Sequence, residues 1–440
     1  MTTDFRRLWA AAGLSNLGDG ISIIAVPLLA ATLTRDPVLI GMLTGVLFLP
    51  HLFLSLPAGV LVDRMEPRTA MVAANVVRAL ALGGLCAALA ADAVTIWWLY
   101  ALVFLYGATE CVYDTAATGA VARLVGRDGL DGANARLQGT ITITNNFLGA
   151  PVGSVLFAVA AVAPFGLHTA LLVGATLLTA SLPRMAGRRM GGGEPEPAAP
   201  VDQVVSAARG VRAVWAETRE GMTWLLRHRT LRTLAFVSAG MAFALQLSQA
   251  TIVLYALEEL DIPEAAYGAF AMSAAVGAVG GAVLAPKLSR RLGRLPAMLW
   301  IGALQVLALV GLALAPTAVT AAAAFAVSAG GVATWNVLSV SLRQSLVPER
   351  LFGRVFGAWK MIIWGLLPVG SWVGGVVAAG SGLRAPWLLG AVVYGAALLL
   401  GLPALLRAVR LSRSEELSRS AQPAAAPDDT AAPSAGRPRG

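Results

Sequence analysis

The chain has 440 residues, 57% hydrophobic and 13% charged, with a formal net charge of +9. Soluble domains carry roughly 25% charged residues, so this composition excludes an ordinary water-soluble globule and points to a membrane protein. Its two cysteines, Cys86 and Cys111, and three scattered histidines show no ligand spacing, which argues against a disulfide framework and against a zinc or haem site.

Twelve apolar stretches are predicted as membrane-spanning helices, each close to the ~20 residues that cross a hydrocarbon core. They cover 8–33, 39–62, 70–91, 95–119, 135–160, 165–183, 231–256, 266–286, 296–315, 318–342, 357–379 and 385–406. The polar start MTTDFRRLW has no secretory signal and leads straight into the first span.

In span one, Ser15, Asn16, Asp19 and Ser22 share a face by their three- and four-residue spacing. Lipid does not solvate such a face, so it must look into a cavity or onto a partner helix. Asp19 lies near mid-membrane, with no basic residue in its own span. Between spans two and three, LVDRMEPRTAM (61–71) is a basic hinge. Span three buries Arg78, and span four places Tyr106, Glu110, Tyr113 and Asp114 along one side. Ionisable groups at that depth cost roughly 2.5–3.5 kcal/mol each on insertion scales, so each needs a reason. Asp19, Glu110 and Asp114 are the candidates for proton coupling, since a carboxylate that loads on one side and unloads on the other meets the requirement. Arg78 is their charge partner; a permanent ion pair from Arg78 to Asp114 or Glu110, merely holding spans three and four, is the alternative. Span five continues the polar seam with Gln138, Thr142, Asn145, Asn146 and Gly149.

The second half is neutral at depth. Gln246 and Gln249 in span seven and Asn336 and Ser339 in span ten are its polar groups. Phe243, Tyr255, Trp335 and Trp364 are its large aromatics, and Lys360 can snorkel to the interface. Asn16, Asn145, Asn146, Gln246, Gln249, Trp335, Asn336 and Trp364 are accordingly the candidate lining of a mostly apolar substrate cavity; packing alone is the competing reading of each aromatic.

The two halves repeat. LSRRLGRLPAM (288–298) matches the hinge at Leu61/Leu288, Arg64/Arg291, Ala70/Ala297 and Met71/Met298, and PVGS occurs at 151–154 and again at 368–371. Weak internal symmetry of this kind marks many secondary transporters. The chain therefore divides into a six-helix half at 1–184, a linker at 185–230, a second six-helix half at 231–408 and a disordered tail at 409–440. The linker opens on the Gly- and Pro-rich RRMGGGEPEPAAP and continues as an amphipathic helix through Val204, Ala208, Val211, Trp215, Met222 and Leu225. Loops after the odd-numbered spans hold only Arg35 and Arg384 as basic residues, whereas the opposite loops are rich in arginine. The positive-inside rule then puts both termini in the cytoplasm of a cell with this protein in its inner, or plasma, membrane, and it accounts for the basic charge without nucleic acid.

These features resemble the major facilitator superfamily. Its hinge motif, Gly-x-Leu-x-Asp-Arg-x-Gly-Arg-Arg, is matched by Gly59, Leu61, Asp63, Arg64 and Arg68; Glu66 replaces its glycine and Pro67 one of its basic residues. The segments FRRLWAAAGLSNLGDGISIIAVPLL (5–29), YDTAATGAVARLV (113–125), EGMTWLLRHRTLR (220–232) and VPERLFGRVFG (347–357) are similar to the macrolide-efflux and siderophore-exporter branch. The resemblance implies an all-α polytopic protein with twelve transmembrane helices in two pseudo-symmetric halves. It also implies a monomeric, cofactor-free exporter that moves a small amphiphilic or hydrophobic compound by alternating access, driven by a proton gradient. Gly59, Asp63, Arg64, Arg68, Arg291 and Arg294 become the cytoplasmic hinge on which the halves slide. A uniporter, an importer, a lysolipid flippase and a non-transporting sensor are alternatives on the same scaffold. An enzyme is not expected, because no nucleophile–base spacing or phosphate loop occurs.

The topology has a direct check. A Glu259→Cys variant is expected to label from outside the cell with an impermeant thiol reagent, and Arg291→Cys only after permeabilisation; the opposite pattern would invert the orientation.

Overall fold

A computed structural model describes residues 2–125, 129–183, 219–348 and 351–421. Among the described residues, twelve helices are long and apolar enough to cross a membrane. In chain order they are α1 Thr3–Leu33, α2 Pro37–Arg64, α3 Pro67–Ala90, α4 Ile96–Val125, α5, α6 Ala163–Ala180, α7 Arg229–Gln249, α8 Glu264–Leu292, α9 Arg294–Ala313, α10 Ala318–Leu346, α11 Phe352–Ser381 and α12 Ala385–Ala421. α5 is composite: Leu130–Ile141, a wide π-helical stretch Thr142–Gly149, and Ala150–Val159. No strand occurs among the described residues.

Local chemistry starts and stops these helices within very short loops. Asp36 caps α2 by accepting from the Val38 amide at 2.8 Å, with Pro37 in the first helical position. Thr317 and Thr320 form a reciprocal capping box at the start of α10. The two hinge copies turn differently. Gly293 has a φ of 83°, a left-handed geometry that favours glycine. The corresponding residue of the first copy is Glu66, whose backbone is extended at φ −68°; the turn is thus made there without the glycine that the family motif carries.

Helix packing is symmetric. α1 packs on α6, as α7 does on α12; α2 packs on α4, as α8 does on α10; α3 packs on α6, as α9 does on α12. The halves meet through α2 with α11 and through α5 with α8, which are again the same pair displaced by six helices.

The PVGS repeat lies on those two seams. A Cβ on Gly268 of α8 would sit 2.1 Å from the Ala150 carbonyl oxygen, and the Ser154 hydroxyl donates to the Ala265 carbonyl across the same seam at 3.0 Å. On the opposite side, a Cβ on Gly41 of α2 would fall 2.7 Å from the Ser371 oxygen, and one on Gly375 2.6 Å from the Pro37 oxygen. Within its own half each copy also clasps its neighbour: Gly153 abuts Ile21, and the Gln246 amide donates to the Ser371 hydroxyl at 2.9 Å. The repeat therefore encodes small residues where backbones touch.

Both seams lie toward the end of the bundle remote from the two termini. There the halves also share an ion pair, Arg35–Glu258 at 3.0 Å. Beside it Glu259 holds Arg384 at 2.7 Å, which raises the guanidinium pKa above its ordinary value.

Some expectations change. The seventh span stops at Gln249, and a short turn Ile252–Leu254 and a π-helical turn Tyr255–Glu259 follow it. α12 continues to Ala421 instead of giving way to a disordered tail at 409; LSRSEELSRSA contains neither Gly nor Pro, and helix formers carry it on. The remaining tail, 422–440, and the linker helix as far as residue 218 lie outside the described residues. So do the surroundings of Gly59 and the side chains of Asp63 and Arg64. Of the other hinge residues, Arg68 donates to the Ala180 carbonyl, tying α3 to α6, and Arg294 reaches the Ser345 hydroxyl at 3.2 Å. Arg291 is exposed.

The seam predicts its own sensitivity. Gly268→Val should force α8 off α5 at a cost of about 1–3 kcal/mol, the usual range for overpacking. Thiol labelling of a cysteine at Asn145 from the far side should then rise. Gly84→Val, at a glycine with nothing within 4 Å, should leave labelling unchanged.

Candidate functional site

A cavity of about 660 Å³ lies between the halves, closed toward the far end by the two glycine seams. The first half supplies Asp19 and Ser22 from α1, His51 from α2, Tyr106 and Glu110 from α4, and Asn145 and Asn146 from α5. The second half supplies Gln246 and Gln249 from α7 and Trp364 from α11, within an otherwise apolar wall that includes Phe270 and Phe325.

The π stretch explains how two consecutive asparagines reach one wall. The Thr142 and Thr144 hydroxyls each donate to the carbonyl four residues back at 2.9 Å, which loosens the regular helical ladder. The widened turn also presses the Asn145 backbone against Gly20, whose hypothetical Cβ would be 2.2 Å from the Asn145 carbonyl oxygen.

Asp19 is the centre of a connected polar group. Its carboxylate accepts from the Tyr106 hydroxyl, and its Oδ1 lies 3.6 Å from His168 Nε2. His168, on α6, is fully buried; its Nε2 is 3.2 Å from the Tyr106 hydroxyl and its Nδ1 2.6 Å from the Ser22 hydroxyl. Both ring nitrogens are thus engaged, and the ring cannot turn without breaking a bond. Gly18 makes the room, because a Cβ there would stand 2.0 Å from the His168 ring.

Arg78 is 2% exposed and sits behind this group. Its guanidinium lies over the rings of Tyr106 and Tyr113, at 4.7 Å and 5.3 Å from their centroids, and its Nε donates to the Thr109 hydroxyl at 3.2 Å. Among the described residues it has no carboxylate within ion-pairing distance. The arrangement therefore differs from a permanent pair with Asp114 or Glu110: Arg78 lies over the face of the phenol whose hydroxyl donates to Asp19.

Glu110 lies one turn further along α4, with Oε2 at 3.9 Å from His51 Nε2. The His51 ring is 5.1 Å from that of Trp364, so this contact bridges the halves. Lys360 Nζ rests over the Trp364 ring at 4.6 Å from its centroid. Asp114 is exposed and does not line the cavity.

Five of the eight expected lining residues are in the wall: Asn145, Asn146, Gln246, Gln249 and Trp364. Three are not. Asn16 bonds back to the Ala12 carbonyl at 2.9 Å, Trp335 is buried in the second-half core with its indole donating to Ser238, and Asn336 is exposed. Their span periodicity was right for polarity but placed them on faces turned toward neighbouring helices or the bundle surface. His51 and His168 were missed, because neither has a spacing partner in its own span. The available signal was Gly18 and Gly20 on either side of Asp19, a mark of close helix approach.

Comparison with known proteins places the fold. Residues 8–368 match the family model of the Major Facilitator Superfamily. The chain is 25% identical over 394 residues to the multidrug efflux pump Tap of Mycobacterium tuberculosis, covering 87% of this chain and 88% of that one. A bacterial homologue of the iron transporter ferroportin, solved in an inward-facing state, superposes with a TM-score of 0.69 at 16% identity over 92% of this chain and 99% of its own. The nucleoside transporter NupG gives 0.66 at 13% identity, over 92% and 99%.

The seat of His168 can be tested apart from any cargo. Gly18→Ala should dislodge the imidazole and lower the melting temperature in detergent as much as His168→Ala does, through loss of buried hydrogen bonds worth about 1–3 kcal/mol. Gly13→Ala, which meets only an ordinary contact at 3.4 Å, should leave it unchanged.

Proposed function

The chain belongs to the Major Facilitator Superfamily, and from that premise we propose that it is a proton-coupled exporter of a small amphiphilic or hydrophobic compound. It is a multi-pass membrane transporter acting on small molecules, and it is not an enzyme. The observation that carries the finer reading is the Asp19–Tyr106–His168–Ser22 group opening onto a cavity whose remaining wall is largely apolar. The distant kinship with an efflux pump supports the outward direction.

In this reading the molecule is a monomer in the inner membrane with its termini in the cytoplasm, and the structure is its inward-facing state. The glycine seams and the Arg35–Glu258 pair close the outer end, while the cavity is entered from the cytoplasmic end. Cargo enters there. Asp19 then releases its proton to the cytoplasm, and the halves rock so that the outer seams part and the cytoplasmic ends meet. Cargo leaves outside, and Asp19 reloads from there. Tyr106 and His168 hold the carboxylate in place in both protonation states, because a phenol and an imidazole can each donate or accept. No cofactor is required; a 100 mV potential supplies roughly 2.3 kcal/mol for each charge that crosses.

The test separates coupling from transport. Asp19→Asn keeps the shape of the side chain and removes its titration. Proton-driven accumulation in inverted vesicles should disappear, while downhill substrate exchange at zero gradient should remain measurable. Full accumulation would overturn the coupling role, and loss of exchange as well would assign Asp19 to binding or architecture.

A further inference from the structure

The two copies of PVGS sit on equivalent seams, yet the helices that lead into them differ. α11 runs as unbroken α-helix from Phe352 to Ser381, with Pro368 inside it. α5 reaches Pro151 through eight π-helical residues, Thr142–Gly149, longer than the single turn in which i→i+5 bonding usually appears. Proline alone does not account for this, since each copy begins with one. With one PVGS laid on the other, Thr142 and Thr144 stand opposite Trp359 and Met361, and Asn145 and Asn146 opposite Ile362 and Ile363. The first half thus has hydroxyls that bond back to the Gln138 and Thr140 carbonyls where the second half has an indole and a thioether.

The widened stretch divides α5 into parts that are held unequally. Beyond it, Ala150–Val159 is fastened on both sides. A Cβ on Gly149 would stand 2.6 Å from the Gly20 Cα and one on Gly153 2.6 Å from the Ile21 oxygen, while Ser154 donates to the Ala265 carbonyl of the other half. Before it, Leu130–Ile141 is packed more loosely. Gly132 and Gly139 have nothing within 4 Å, and Asn134, Arg136 and Gln138 are exposed. The Trp9 indole ties this part to α1 by donating to the Thr140 hydroxyl at 2.7 Å. Between the two parts lie Asn145 and Asn146 in the cavity wall, and the Asn145 backbone bears on Gly20, the neighbour of Asp19.

We propose that this stretch is a register switch. A π turn stores more chain than an α turn, so tightening to α-helix rotates Leu130–Ile141 against the fixed Ala150–Val159. Each residue taken up is worth about 100° of rotation and 1.5 Å of rise. The exchange loses no hydrogen bond outright, because i→i+5 pairs give way to i→i+4 pairs. The wide form belongs to the state whose cavity opens toward the termini, and the tight form to the state in which those ends meet. Tightening carries Asn145 and Asn146 out of their present places in the wall, and the Gly20 contact links that movement to the helix that bears Asp19. This rests on the exporter reading and assigns to α5 the link between cargo wall and carboxylate.

The experiment measures the distance between spin labels at Arg6→Cys and Arg290→Cys, exposed sites at the terminal ends of the two halves. It uses full-length protein with Cys86 and Cys111 replaced by alanine. Arg35→Glu breaks the clasp to Glu258 at the far end and should shift the distribution toward the short distance. Deleting Ile143, an exposed residue of the π stretch, removes the stored residue and leaves both flanks facing as they do now. That protein should fold, with a melting temperature near that of its parent, and should keep the long distance even with Arg35→Glu. Thr142→Ala with Thr144→Ala removes the back-bonds at unchanged length and should act the opposite way, favouring the short distance without Arg35→Glu. Deleting Met361 from the unbroken α11 should abolish folding. Equal loss of folded protein on deletion of Ile143 would show that no residue is stored there and would overturn the switch. So would a deletion protein that still closes with Arg35→Glu, or a threonine pair whose distances match the parent. Should Arg35→Glu leave the parent open, the threonine pair decides alone. No gradient or cargo is used, so vesicles that fail to accumulate any compound would sink the exporter reading while the distances still judged the switch.

Discussion

A carboxylate in the middle of a bilayer is tolerable only if the protein replaces the water that it has lost, and Asp19 is where this chain meets that demand. Its substitutes for water come from two other helices, Tyr106 from α4 and His168 from α6, and the latter is itself fastened to Ser22 on α1. Each of these requires close helix approach. Gly18 lets the imidazole in, and Gly20 lets α5 rest against α1, so the glycines flanking Asp19 follow from the need to solvate it. Arg78 is drawn into the same group because its charge needs company too, and it finds two aromatic faces and a threonine.

How far this was legible in the sequence follows from the range of each interaction. Hydropathy is local, and all twelve spans were readable; so was the place of Asp19 midway along the first, which needs only a count of residues from the nearest arginines. Recurrence of PVGS could be seen without knowing its use, since its meaning lies in backbones on α2 and α8 that abut it from the other half. His168 was invisible for the same reason. It is 149 positions from Asp19 in the chain, and nothing in α6 itself distinguishes a histidine that supports a carboxylate from one that fills space. Periodicity also could not tell which polar face meets a cavity and which meets a neighbour, and Trp335 and Asn336 went astray on that point. The π stretch of α5 arises from threonine side chains that compete for backbone carbonyls, a balance that hydrophobic patterning does not record.

The two halves share a framework and divide the chemistry. Packing pairs repeat six helices on, yet the ionisable groups that line the cavity, Asp19, His51 and Glu110, all belong to the first half. The second half contributes amides and aromatic rings, which need no compensation when the cavity opens or shuts. Consequently a rocking motion carries the whole Asp19 group as one body. Tyr106, His168 and Ser22 stay with Asp19 in either state, because all four belong to the same six-helix unit.

The interface between the halves suits this division. Where interdigitated side chains lock two helices, separation leaves voids on both sides and costs their packing. At the α5–α8 and α2–α11 seams the closest contacts are instead largely backbone against glycine, which are flat and leave little to disengage, with one side-chain hydrogen bond, Ser154 to the Ala265 carbonyl, across the first. Beside that hydrogen bond, Arg35–Glu258 holds the surface at its rim, between side chains that are roughly half exposed. An ion pair with that much access to water contributes little to stability. That weakness is useful in a gate, since two states of a transporter must lie close in free energy if the protein is to pass between them. A smooth seam with a weak clasp keeps that balance near even.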